Sequence, residues 1–212
     1  MTMKQIGSVI TTSAKGRSLP TSTLPTETGV AIQLSTEKKQ KAAARLMQVA
    51  SPSTVDKSLV SSLESITGYR VNELTNVRYL KDNKCDIITT GFDIVIEDIE
   101  TCDKCLEAVQ SSLVPMPDDM IKRQLQMLVA LVVKPSGESA DDVAFRINIM
   151  AKQLGEYPAD IVLCAIENVV KESTFWPAFA EFWKHIGWRL KKRERLLETL
   201  TNKKLALMVQ NQ

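Results

Sequence analysis

Hydrophobic positions along this chain recur at three- and four-residue spacing over most of its length, the pattern of amphipathic helices rather than of strands. Val55, Leu59, Leu63 and Ile66 line one face of a short helix that Gly68 stops. Leu106, Val109 and Leu113 give an apolar edge to a helix that begins at Asp98 and ends before Pro115 and Pro117. Ile121, Leu125, Leu128, Val129 and Val132 repeat the spacing in a helix running to about Val133, and Val143, Ile147, Met150 and Leu154 repeat it between Glu138 and Leu154, with Gly155 beyond. Val162, Ala165, Ile166 and Val169 do so after Pro158. Pro117 and Pro158 suit the first position of a helix, and Asp118, Asp119 and Asp160 favour its positive end. The last and longest helix opens at Pro177, with Glu181 near its start, and runs towards Leu207.

The first half of the chain is less regular. Ser35 can cap a helix rich in Ala and Lys that ends near Ser51-Pro52, and Val71 to Leu80 has the spacing of a further helix. Cys85 to Ile96 contains IITT and FDIVI, which are β-branched but alternate poorly, so the segment is either a short strand pair around Gly91 or irregular and extended. Residues 1–34 are rich in Ser and Thr, broken by Gly16, Pro20, Pro25 and Gly29, and follow neither period; they are expected to be a flexible tail. The expectation is a mainly α protein, a bundle of about six to eight helices with a β-hairpin near 85–96 as one option. Its parts are the tail 1–34, a mostly helical region 35–114 and a C-terminal helical module 115–212.

Composition narrows the function classes only slightly. With 44% hydrophobic and 25% charged residues and a formal net charge of +2, the chain is ordinary for a globular protein, and its overall charge implies no partner. The densest apolar run, Met127 to Val133, falls far short of the roughly 20 residues of a membrane span, so no membrane partner is expected. The N-terminal stretch lacks the apolar region of a secretory signal, which makes the cytoplasm the expected compartment and reduced thiols the expected state of the four cysteines. The near-neutral total hides two opposed blocks: eight Lys or Arg against two Glu from Lys184 to Lys204, and ten Asp or Glu against two Lys from Asp82 to Asp119. These blocks are suited to attract each other within the fold or across a homo-oligomer.

Candidate chemistry is sparse. Neither G-x-G-x-x-G nor G-x-x-x-x-G-K-[ST] occurs, so the common glycine-rich phosphate loops are missing. Asp118-Asp119, Asp141-Asp142 and Glu97-Asp98 all fall at helix starts, where the macrodipole explains them. Cys102 and Cys105 form a C-x-x-C, but Cys85, Cys164 and His185 are too scattered to complete a zinc site of ordinary spacing, and the pair falls in a helix. His185, the only histidine, has no nucleophile beside it in sequence and Glu181 one turn away. No cofactor, metal or catalytic residue is assigned, and the chain is expected not to be an enzyme.

The strongest signal lies between Tyr157 and Arg195, which holds all three tryptophans. On a wheel of about 100° per residue, Phe179, Phe182, Trp183, Ile186, Leu190 and Leu197 share one arc of the last helix, and Lys184, Trp188, Lys191 and Arg195 share the opposite one. An indole on the polar side, among cations, suits stacking on a base or filling a partner's pocket while Lys and Arg hold phosphates. The plainer reading is that Trp188 packs on a neighbouring element and the charges are a solvated face. Lys184, Trp188, Lys191, Lys192 and Arg195 are the candidate residues for binding a protein partner or nucleic acid.

The segments YPADIVL-x-A at 157–165, FWPAFAEF at 175–182 and Arg193-x-Arg195-Leu-Leu at 193–197 resemble a helical module of phage and prophage proteins, and more loosely the non-ATPase helicase loaders of some phages. The resemblance covers about residues 116–200. It implies that Pro158 and Pro177 start helices and that Trp176 and Phe179 pack an aromatic corner, which Phe182, Trp183 and Trp188 enlarge. It implies an adaptor that acts by binding, with a replicative helicase, an initiator or DNA as partner. The other implied class is a structural or oligomerising phage protein whose aromatic corner seals a subunit interface.

Overall fold

The computed structural model describes residues 35–49, 55–79, 85–133 and 137–210; the expected tail over 1–34 lies outside them. Seven helices and one antiparallel hairpin are present among the described residues: α1 Thr36–Val49, α2 Val55–Thr67, β1 Asn72–Tyr79, β2 Cys85–Asp93, α3 Ile99–Ser112, α4 Asp118–Leu131, α5 Ala140–Leu154, α6 Ala159–Glu172 and α7 Phe179–Gln210. The protein is mainly α.

The helix starts are chemically explicit. Asp98 accepts the Thr101 N–H at 2.7 Å ahead of α3. Ser139 and Asp142 form a reciprocal capping box at α5, satisfying donors that would otherwise lack partners. Pro117 and Pro158 occupy the position just before α4 and α6, with extended backbone. Glu181 accepts the Ala178 N–H at 3.0 Å and so closes the first turn of α7. Gly68, with φ of +73°, ends α2 in the left-handed region that glycine adopts without penalty.

One expectation is corrected here. The helix expected over 71–80 is not there in its described part: Asn72–Tyr79 is β1, paired antiparallel to β2 with Val77 opposite Ile87 and Tyr79 opposite Cys85. Leu74 and Val77 mimic a helical i, i+3 pair, but every β1 residue is exposed, so no buried face imposed a period of two on the sequence. The strand is fixed instead by its partner. A hairpin is present near 85–96, as one of the two options had it, but not as a strand pair around Gly91: Gly91 lies inside β2, which pairs with β1, and a bulge falls between Leu74 and Thr75.

Two hydrophobic cores form. The first gathers Ile121, Leu125 and Leu128 of α4, Ile147 and Leu154 of α5, Ile161 and Val162 of α6, and Phe182, Ile186 and Leu190 of α7. The second gathers Leu63 of α2, Phe92 of β2, Cys102, Leu106 and Val109 of α3, and Leu196 and Leu200 of α7. Thus α7 lines the first core with its early turns and the second with its later ones. Between these stretches sits Arg193, buried, which grips both carboxylate oxygens of buried Asp160 on α6 and donates to the Ser112 carbonyl at the end of α3. The pair fixes three helices at the junction of the cores.

Candidate functional site

The aromatic corner is the scaffold of the site. Tyr157, Phe179 and Trp183 lie within 6.3 Å of one another by ring centroid, a spacing at which aromatic rings attract edge-to-face or offset. Gly187 lets them do so, because a β-carbon there would come within 3.0 Å of the Trp183 ring. That close approach accounts for a glycine mid-helix, where it costs about 1 kcal/mol relative to alanine. Trp176 lies under the Arg146 guanidinium at 5.9 Å. His185 meets Glu172 of α6 at 3.2 Å, not Glu181, which is engaged in closing the first turn of α7.

Trp188 is different. Half of its surface is open to solvent, and the Arg189 guanidinium sits 4.1 Å from its ring centroid. Arg189 is itself buried, bonded to the His185 carbonyl at 3.0 Å and 3.3 Å from Asp56 of α2. A buried, anchored cation therefore backs an exposed indole, a contact worth about 0.5–2 kcal/mol that orients the ring.

The five candidate residues separate into two groups. Lys184, Trp188, Lys191 and Arg195 are exposed together on the outward side of α7. Lys184 and Lys191 make no ion pair among the described residues, and Arg195 makes a surface pair with Glu198 at 2.9 Å, of a kind worth little in water. Lys192 stands apart: it is bonded to Glu73 of β1, so it ties the hairpin to α7. Burial pushes the Glu73 carboxyl up, but Lys192 and the Thr89 hydroxyl outweigh it and hold the group below the usual carboxylate range. Glu194, between Lys191 and Arg195, is pushed up by burial against the pull of both cations.

The opposed charge blocks meet inside the fold where Lys204 of α7 pairs with Asp103 of α3 at 2.6 Å. The outward cations around Trp188 are not consumed by this pairing. Sequence reading missed Arg193 and Arg189 as buried anchors, although Arg193 falls on the same wheel arc as Phe182, Ile186 and Leu190.

Cys102, Cys105 and Cys164 are buried and Cys85 is exposed on β2. Burial raises the three buried thiols, Cys105 to about 11. Thiol titration of the native protein should therefore show one fast-reacting group, Cys85, with the others reacting only as the protein unfolds. A Cys85→Ser variant that still shows a fast thiol would contradict this. No group of side chains suited to a metal occurs among the described residues. Two small cavities among the described residues measure about 10 Å³ each, room for about one water molecule. No helix among the described residues is long and apolar enough to cross a membrane.

Comparison with protein-family models, with curated proteins and with solved structures finds no match. The expected likeness to phage helical proteins finds no support in these comparisons.

Proposed function

We propose that this chain is a non-enzymatic adaptor that binds an anionic macromolecule through the outward face of α7. The observation that carries this reading is the exposed indole of Trp188, backed by the anchored Arg189 and flanked by Lys184, Lys191 and Arg195. A structural tryptophan gains by burial, and this one is held out in solvent by contacts that cost an arginine its own freedom. In the phage or prophage replication setting that the sequence resembles, the anionic partner is nucleic acid or the acidic face of a helicase or initiator. The alternative of an aromatic corner sealing a subunit interface has less in its favour, since Tyr157, Phe179 and Trp183 already pack on one another.

Immobilised heparin tests the reading as a generic polyanion. The wild type should be retained at low salt, and Lys184→Glu, Lys191→Glu, Arg195→Glu together should abolish retention with an unchanged circular dichroism spectrum. A control with the same change of net charge elsewhere, Lys39→Glu, Arg123→Glu, Lys152→Glu, uses cations that are exposed on α1, α4 and α5. Should the control lose retention as fully as the α7 variant, the face is not a binding site.

A further inference from the structure

We infer that the polyanion is a single-stranded nucleic acid, one of whose bases stacks on Trp188; the inference rests on the polyanion reading of the same face and narrows it. Three observations on α7 carry it. The ring of Trp188 is half exposed and has Arg189 at 4.1 Å. That arginine lends the indole a fixed orientation, which is what a stacking platform needs before a base arrives. The cations are spaced along the helix on either side of the ring. With about 1.5 Å of rise per residue, Lys184 lies about 6 Å before Trp188, and Lys191 and Arg195 lie about 4.5 Å and about 10.5 Å beyond it. A backbone tracking the helix can thus place successive phosphates on ammonium or guanidinium groups while a base turns to the indole.

The same geometry disfavours a duplex. Bases in a duplex are stacked on each other and offer only their edges, read in the major groove by a helix bearing Arg, Asn or Gln at the contact positions. The outward face of α7 instead presents an aromatic plane between lysines. The hairpin is also fastened to this helix through the Lys192–Glu73 bond. An α-helix alone nearly fills a major groove about 12 Å wide, so α7 with a hairpin at its side does not enter one. An acidic protein surface would satisfy the lysines but has no need of an oriented indole.

The full chain and a fluorescein-labelled 15-mer of deoxythymidine, which forms no secondary structure, test this by anisotropy, with a duplex of equal length as competitor. Binding of the single strand should be at least about 10-fold tighter than of the duplex, and should weaken with salt at a slope near −2 on logarithmic axes, as expected for about three neutralised phosphates. Trp188→Leu should lose about 10-fold or more in affinity, whereas Trp188→Phe, which keeps a π face, should lose less. Tryptophan emission should fall on binding in the wild type and fall much less in Trp188→Phe, because Trp183 packs against Tyr157 and Phe179, and Trp176 lies against Arg146. A duplex that binds as tightly as the single strand, or a Trp188→Leu variant with wild-type affinity, overturns the inference. Heparin retention that depends on Lys184, Lys191 and Arg195 without any single-strand binding overturns it too, and leaves the polyanion reading standing with an acidic protein as the partner. Loss of heparin retention as well takes both down.

Discussion

Arg193→Ala should destabilise the protein by about 3–5 kcal/mol, the range found when one partner of a buried ion pair is removed. The arginine and Asp160 are both buried, and the guanidinium makes two bonds to the carboxylate and another to the Ser112 carbonyl. Removing it leaves the buried Asp160 charge with the Ile161 N–H as its remaining donor and takes the guanidinium from the Ser112 carbonyl, so both are under-satisfied in the interior. The penalty is one of desolvation left uncompensated, so the double replacement Arg193→Met, Asp160→Leu should recover much of it. Chemical denaturation followed by circular dichroism measures both. A single variant within about 1 kcal/mol of wild type would mean that the pair is hydrated in solution. The double variant separates the two roles of the pair: restored stability with a broadened transition would identify coupling of the cores, rather than net energy, as what the pair supplies.

Phe182→Ala should cost about as much, roughly 3–5 kcal/mol, by a different route. Phe182 has no exposed surface and lies in the first core among residues of α4, α6 and α7. Truncation loses the transfer energy of the ring and opens a cavity that helices on several sides cannot all move to fill. Trp188→Ala should cost less, about 1–2 kcal/mol, since only the contact with Arg189 and the burial of half a ring are lost. The contrast is the point of measuring both: two large aromatics on one helix, one held for stability and the other not. A Trp188→Ala variant as destabilised as Phe182→Ala would make Trp188 a core residue and remove its claim to a partner.

The sequence was most informative where burial is one-sided. The apolar sets of α4, α5 and α6, read at helical spacing, are the residues that line the first core, and Ser35, Asp98 and Gly68 mark helix ends as read. It was least informative at β1, because an exposed strand is specified by its cross-strand partner and its own side chains carry no period. It also hid Asp160. An acid in the first turn of a helix has a sufficient local explanation in the macrodipole, and nothing nearby in sequence shows that its partner is Arg193 on another helix. The clue lay in the wheel of α7: Arg193 and Lys204 fall on the apolar arc, and a charge there is either paired or misplaced. For the candidate face the reading by wheel separated exposed from buried positions well, except at Lys192, whose engagement with Glu73 required knowing that 72–79 is a strand.

Because α7 is a single helix of 32 residues whose early turns belong to one core and whose later turns belong to the other, the two cores share a component that neither can lend away. Exchange of modules between related chains by recombination works when the joint falls where few contacts cross. A crossover in the loop between α3 and α4 would bring in a foreign α7 along with α4 to α6, and Leu196, Leu200 and Lys204 would then face a second core they had not been selected to fit. Such hybrids should be less stable than either parent unless α7 is itself a chimaera joined between Leu190 and Leu196 in which Arg193 still meets a matching Asp160 and Ser112 carbonyl.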